Sequence, residues 1–294
     1  MTDFQEDLSA IAAAVDPLIA DLLPTGTGPE RRLFDAMRYA ALSPGKRLRP
    51  YLVVSSARMF GVPDTQSLRV AAAVELVHAY SLIHDDLPAM DDDDLRRGHP
   101  TVHKAYDEAT AILAGDALLP LAFEILSVEQ THPNAAVRCA LVTGMAKAIG
   151  PAGMVGGQML DLQPPSSSTY GDVVRMERLK TGALFAYACE AGAILGEANT
   201  AAMAALYAYA MDMGLAFQII DDLLDHDGDE AVLGKRVGKD TDAGKATAVT
   251  TLGPDAARAQ AHLLIDQALA HIGDFDSNAQ PLRDAAVFVV ERRA

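Results

Sequence analysis

Tryptophan is absent from this chain of 294 residues, and all aromatic residues together make up only 5% of it. β-Sheets draw heavily on aromatic and β-branched side chains, so a sheet-based architecture is disfavoured. Alanine is plentiful instead, in runs at 12–14 and 71–73 and through 201–205, and it is the strongest helix former. An all-α fold is expected. Cysteine occurs only twice, at Cys139 and Cys189, with no CxxC spacing and no Cys/His cluster around either. That excludes a disulfide framework and a thiolate metal centre, and leaves two thiols expected to be buried in a reducing cytosol. Positive charge is also short: 24 Lys and Arg against 40 Asp and Glu give a net charge of −16. A field of that sign repels nucleic acid and anionic membrane surfaces. No nucleic-acid partner is expected. Long uncharged apolar runs are missing too, since none approaches the ~18 residues a spanning helix needs. The opening Met1-Thr-Asp-Phe-Gln-Glu-Asp7 carries acids where a targeting peptide needs Lys or Arg. The chain is expected to be cytoplasmic, with no stable membrane insertion.

Hydrophobic residues nevertheless reach 50%, enough for a substantial core. They recur at helical spacing, interrupted by breakers at 24–28, 43–45, 61–64, 132–134, 164–168, 228–244 and 253–254. This pattern predicts ten or more helices. The polar stretch 163–169 is a loop rather than a linker, so residues 1–294 are read as a single domain.

Two carboxylate clusters stand out. In the first, Asp85-Asp-Leu-Pro-Ala-Met-Asp-Asp-Asp-Asp94, six acids fall within ten residues behind the apolar helix Val70–Ile83. Like charges at this density repel unless a cation neutralises them, and oxygen-only donors suit a hard divalent ion such as magnesium. On a straight helix Asp85 and Asp91 would point ~240° apart, so they can share a site only if the helix ends between them. Pro88 supplies that end. The second cluster, Gln218-Ile-Ile-Asp221-Asp222-Leu-Leu-Asp225, spaces its acids at i, i+3 and i, i+4 on an otherwise apolar helix. An EF-hand is excluded, because Glu230 and Arg236 stand where that loop needs Gly and Glu.

The few cations gather near the acids or at turns. Lys46, Arg47 and Arg49 lie in Gly45-Lys-Arg-Leu-Arg-Pro50, Arg96 and Arg97 follow the first cluster, and Lys180 sits in Leu179-Lys-Thr-Gly182. Lys235, Arg236, Lys239 and Lys245 follow the second cluster. Arginine forks and lysine charges beside magnesium-binding carboxylates make a diphosphate site. No Walker loop is present.

Together these residues resemble the trans-isoprenyl diphosphate synthases, most closely the bacterial farnesyl diphosphate synthases. The matching segments are Gly45–Pro50, His78–Gly98, Leu113–Ala117, Gly156–Gln158, Lys180–Gly182 and Phe217–Asp225 with Gly234-Lys235. The resemblance implies a helical bundle around a deep central cavity, the isoprenoid synthase fold, with the acid clusters facing each other across its mouth. It implies a homodimer whose substrates are isopentenyl diphosphate and an allylic diphosphate, dimethylallyl or geranyl. Asp85, Asp86 and Asp91 on one side, and Asp221, Asp222 and Asp225 on the other, would hold about three magnesium ions on the allylic diphosphate, the metals sharing its charge. Arg96, Lys180 and Lys235 would join them. Lys46, Arg49, His78 and Arg97 match the isopentenyl diphosphate pocket. The Thr181 hydroxyl, the Gln218 carbonyl and the Lys180 backbone carbonyl resemble the groups that steady the allylic cation, whose survival requires that water be kept out.

Product length follows from geometry. The allylic tail points down the helix from Asp85, so Ser81 and Tyr80 should lie about a turn below the diphosphate. The bulky Tyr80 is expected to floor the cavity and stop growth at about fifteen carbons, giving farnesyl diphosphate. The alternative is a geranylgeranyl diphosphate synthase with the same site and a longer product. A class I terpene cyclase usually carries a different second motif and more aromatics, and a non-catalytic prenyltransferase subunit would have little need of both acidic motifs.

Overall fold

The computed structural model describes residues 2–164, 167–227 and 246–292. Helices dominate: α1 (Thr2–Leu22), α2 (Arg31–Ala41), α3 (Leu48–Met59), α4 (Asp64–Asp85), α5 (Val102–Ala105), α6 (Glu108–Ser127), α7 (Ala135–Ile149), α8 (Met154–Leu162), α9 (Tyr170–Glu177), α10 (Ala183–Leu195), α11 (Thr200–Asp227), α12 (Ala248–Leu252), α13 (Pro254–His271) and α14 (Gln280–Glu291). Among the described residues the only strands are a two-residue pair, β1 (Leu95–Arg96) against β2 (His99–Pro100). The all-α expectation holds, and the described breakers fall between helices.

The bundle is organised around α4 and α10. Each is apolar on nearly every side, the mark of a helix enclosed by others rather than lying on a surface. Helix α4 packs against α6, α3, α1, α2 and α10, while α10 packs against α3, α11 and α7. Small residues permit the close crossing: a side chain at Gly192 of α10 would strike Ser56 and the amide of Ala57 on α3. Local signals set the starts. Asp107 accepts from the Thr110 amide at 2.7 Å to cap α6, and Thr169 with Asp172 forms a reciprocal cap on α9.

One expectation changes. Cys189 is buried, but Cys139 is exposed. On α7 the buried stripe runs through Val137, Leu141 and Met145, and Cys139 lies about 200° from Val137, on the opposite face. No uncharged apolar run of ~18 residues is present, but helices that carry a charge or two reach that length. Three stretches, Glu108–Ser127, Ala135–Leu162 and Thr200–His226, are long and apolar enough to cross a membrane by length and composition alone. Within the bundle, α6 turns that apolar surface onto α4 and α2, and α11 onto α13 and α10.

Glu190 of α10 is held off water beside Lys147, and burial raises its carboxyl to about 7. A carboxyl whose folded value lies above its unfolded value binds extra protons when folded, so stability falls as pH rises from about 4.5 through 7. Glu190→Gln is therefore expected to raise the melting temperature by several degrees at pH 8, a gain of about 2–3 kcal/mol, and to change little at pH 4.5. Thermal melts at the two pH values check it; equal shifts would remove the titration argument.

Candidate active site

A cavity of about 1010 Å³ opens among α3, α4, α8, α10 and α11. Asp85, Asp91 and Asp221 all line it, so both acid clusters reach one space. The helix-ending role of Pro88 explains the first cluster. After α4 closes at Asp85 the chain folds back, the Asp91 amide donating to the Asp85 carbonyl at 2.9 Å and the Asp93 amide to the Asp86 carbonyl at 3.2 Å. Asp91 thereby comes to the end of the helix beside Asp85. Burial, reinforced by the charges of Asp91 and Asp86 against the opposing pull of Lys180 and Arg96, pushes the Asp85 carboxyl up to about 6.

Other acids of the motifs are placed differently. Asp86 is buried and faces away from the cavity, clasped by Arg96, whose Nε and Nη2 reach its Oδ1 at 2.7 and 2.5 Å. Arg96 borders the cavity but spends its fork on that carboxylate. Asp222 accepts from the Ala248 amide at 3.1 Å, at the start of α12, and Asp225 is buried; neither borders the cavity among the described residues. Lys235, with Gly234, Arg236, Lys239 and Lys245, lies outside the described residues.

The third wall is irregular. Between α9 and α10 the helix widens into a single π turn, Arg178–Gly182, and such turns loosen the regular carbonyl ladder at functional sites. This turn carries Lys180 and Thr181. Helix α8 lies directly on it, because a Cβ at Gly157 would fall against the amide and Cα of Lys180. The Lys180 ammonium bonds to Asp161 at 2.6 Å, and the Thr181 hydroxyl points to Glu177 at 3.4 Å. Burial raises the Glu177 carboxyl to about 7. Gln218 completes the polar lining, and Gln158 presents a buried amide whose oxygen and nitrogen have no hydrogen-bond partner among the described residues.

At the other end lies a cationic cradle of Lys46, Arg47, Arg49, Arg97 and His78. Arg47 has left-handed backbone, φ 51° and ψ 33°, costing about 1 kcal/mol or more in a residue other than glycine. Arg49 stacks its guanidinium 4.6 Å from the centre of the Phe185 ring, and its buried Nε has no hydrogen-bond partner among the described residues. Burial lowers its value to about 10. Burial and then the four nearby arginines, Arg49 first, hold the His78 imidazole neutral, so it can offer a hydrogen bond without a charge. An orphaned buried donor among cations is a site built for an anion.

Tyr80 and Ser81 line the apolar depth, with the Ser81 hydroxyl turned back to the His78 carbonyl at 2.9 Å. The Tyr80 ring meets His84 edge-on, centroids 5.8 Å apart, and His84 rests on α6 over Gly115, its Nε2 3.1 Å from the Ile112 carbonyl.

Sequence reasoning overlooked Asp161, Glu177 and Arg292, and gave Gln158 no role beyond its place in a matching segment. Gln158 was signalled by the Gly-Gly-Gln segment, whereas Arg292 sits at the end of α14 and carries no local signature. Its guanidinium donates to Asp221 at 2.6 Å and to the Phe217 carbonyl at 2.8 Å, and lies 3.8 Å over the Phe217 ring.

The donor set suits magnesium in kind: carboxylate oxygens without a neighbouring thiolate, one of them kept from ionising easily by burial and then by a like charge. Among the described residues no three such groups already converge on one point. That accords with an ion that keeps waters and takes phosphate oxygens rather than sitting in an all-protein cage.

A family model described as "Polyprenyl synthetase" matches residues 30–279. The farnesyl diphosphate synthase of Escherichia coli is 43% identical over 99% of both chains. A geranylgeranyl diphosphate synthase of Cyanophora paradoxa is 42% identical over 88% of this chain and 87% of its own. The crystal structure of an FPP/GFPP synthase from Zymomonas mobilis superposes with a TM-score of 0.89 at 48% identity, covering 98% of this chain and 99% of the other.

Proposed function

The chain belongs to the polyprenyl synthetase family, and on that footing we propose that its cavity joins an allylic diphosphate head-to-tail to isopentenyl diphosphate, ending at farnesyl diphosphate. The observation that carries this reading is the meeting of two acid clusters and a cationic cradle on one cavity with an apolar depth. Two diphosphates and a hydrocarbon tail need those three surfaces.

Asp85 and Asp91 on one wall and Asp221 on the other would hold magnesium, with Asp86, Asp222 and Asp225 supporting them from behind. The metal, about three ions in the full complex, would supply Lewis-acid stabilisation of the departing diphosphate. Lys180 adds a fixed positive charge there, and Arg96 borders the same end. As the allylic C–O bond breaks, charge grows on the diphosphate oxygens, and preorganised cations lower that barrier. The Thr181 hydroxyl, the Gln218 carbonyl and the carbonyl of Lys180 on its π turn present acceptor dipoles to the allylic cation. Lys46, Arg49, Arg97 and neutral His78 hold isopentenyl diphosphate so that its double bond attacks the cation, forming the new C–C bond. The proton lost from the adduct passes to the released diphosphate, the base that the reaction itself delivers beside the new bond.

Residues 1–294 form one synthetase domain, working as a homodimer; the exposed Ile112 and Leu113 of α6 suit a covered face. Incubating the chain with magnesium, dimethylallyl diphosphate and labelled isopentenyl diphosphate tests the reading. Mass analysis is expected to find about fifteen carbons in the main product, three isoprene units set by the Tyr80 floor. Hydrocarbon from farnesyl diphosphate alone would point to a cyclase, and no diphosphate release would end the enzyme reading.

A further inference from the structure

Within Gly45-Lys-Arg-Leu-Arg-Pro50 three cations look equivalent, yet the structure uses them differently. Arg47 is the residue with left-handed backbone, directly before α3, and its side chain is only 3% exposed. Each nitrogen of its fork is bonded to protein, with four of the five N–H groups in use. Nε donates to Asp16 of α1 at 2.7 Å, Nη1 to Glu75 of α4 at 2.6 Å, and Nη2 to the carbonyls of Ser43 at 3.0 Å and Ala41 at 3.3 Å. An arginine whose three nitrogens are bonded to protein and whose charge is met by two carboxylates has no paired N–H edge left for a phosphate.

What this tie does is geometric. It joins α1, α4 and the end of α2 to the one residue whose backbone reverses the chain between Lys46 and Arg49. Glu75 is also placed to serve the rest of the cradle. It is 5% exposed, it lies three residues before His78 on the same face of α4, and its charge favours the ionised forms of Arg49 and Arg97. One buried carboxylate thus anchors the turn and balances the cations that the turn presents.

We infer that Arg47, pinned by Glu75 and Asp16, is the positioning residue of the isopentenyl diphosphate pocket, and that it makes no contact with substrate. The inference rests on the reading that Lys46, Arg49, His78 and Arg97 receive that diphosphate. It therefore separates two kinds of residue within a single short motif: Arg49 binds, Arg47 aims.

The test measures KM for each substrate, kcat, and calorimetric affinity for isopentenyl diphosphate in the full-length protein. Arg49→Gln probes the underlying reading and is expected to raise KM for isopentenyl diphosphate strongly. Glu75→Gln is expected to raise that KM about tenfold, with KM for the allylic diphosphate and kcat changed less than about twofold, one misaimed contact being felt where it acts. Because Glu75→Gln leaves a buried arginine short of charge, Asp16→Asn provides a milder variant at a residue whose side chain is 46% exposed. It is expected to shift the same KM about threefold in the same direction, and Asp16→Glu to restore it. If Arg49→Gln acts on isopentenyl diphosphate while Glu75→Gln and Asp16→Asn leave its KM and affinity alone, the positioning role is wrong and the pocket stands. If Arg49→Gln has no effect on that substrate, the pocket itself is misassigned and the positioning role goes with it. Equal increases in KM for both substrates would mean general loosening of the fold and would also overturn it.

Discussion

Asp85→Asn is expected to lower kcat by about 10²- to 10³-fold, the size of effect seen when one preorganised electrostatic group is removed. The same change should leave the protein at least as stable as before. Asp85 is forced to ionise while partly buried beside Asp91, and its carboxyl sits at about 6 for that reason. At pH 8 the folded state therefore carries a penalty of about 1–2 kcal/mol that the neutral amide relieves. Magnesium-free melts should show Asp85→Asn melting a few degrees higher at pH 8, with the advantage shrinking toward pH 4 as the native carboxyl takes up its proton. Steady-state diphosphate release, measured over a range of magnesium concentrations, reads the other half. Activity within about threefold of the parent at saturating metal would remove Asp85 from the metal-holding set. Loss of both activity and stability would indicate ordinary structural damage.

Tyr80→Ala should change what the enzyme makes rather than how fast it begins. The ring lines the cavity below Ser81, and it is braced edge-on by His84. Removing it opens space in line with the growing tail, so products of about twenty carbons or more should replace the fifteen-carbon one as the main species, the pocket having lost the contact that discriminated between them. Consumption of the first allylic starter should change little, since no group at the diphosphate end is touched. Mass spectrometry of the product mixture decides the matter. An unchanged distribution would place the floor on another element.

Much of this was legible in the chain because the chemistry concentrates its signals. Scarce aromatics and abundant alanine announce helices, and Pro88 after an apolar helix announces the fold-back that sets Asp91 beside Asp85. Paired acids at both Asp85 and Asp221 announce a cation between them. The individual fates of neighbours were not legible. Asp85 and Asp86 are adjacent, yet one faces the cavity while the other is consumed by Arg96, a distinction made by a guanidinium ten residues later. Arg47 and Arg49 differ because Asp16 and Glu75, remote in sequence, bond to only one of them. Arg292 reaches Asp221 across 71 positions, and no spacing rule connects residues so far apart. Motif reading locates a site by composition; the division of labour inside it is set by long-range partners.

The π turn at Arg178–Gly182 has a consequence for how such a site can vary. A π turn spans one residue more than an α turn, so α9 and α10 amount to one continuous rod with a single extra residue accommodated inside it. Deleting that residue would not remove a functional group. It would leave α9 and α10 in the register they already share and draw the freed carbonyls back into the regular ladder, so the widening that carries Lys180 and Thr181 would close. Point substitutions sample this wall gradually, whereas a one-codon deletion would switch it in a single step, so length variation here is the change most sharply constrained.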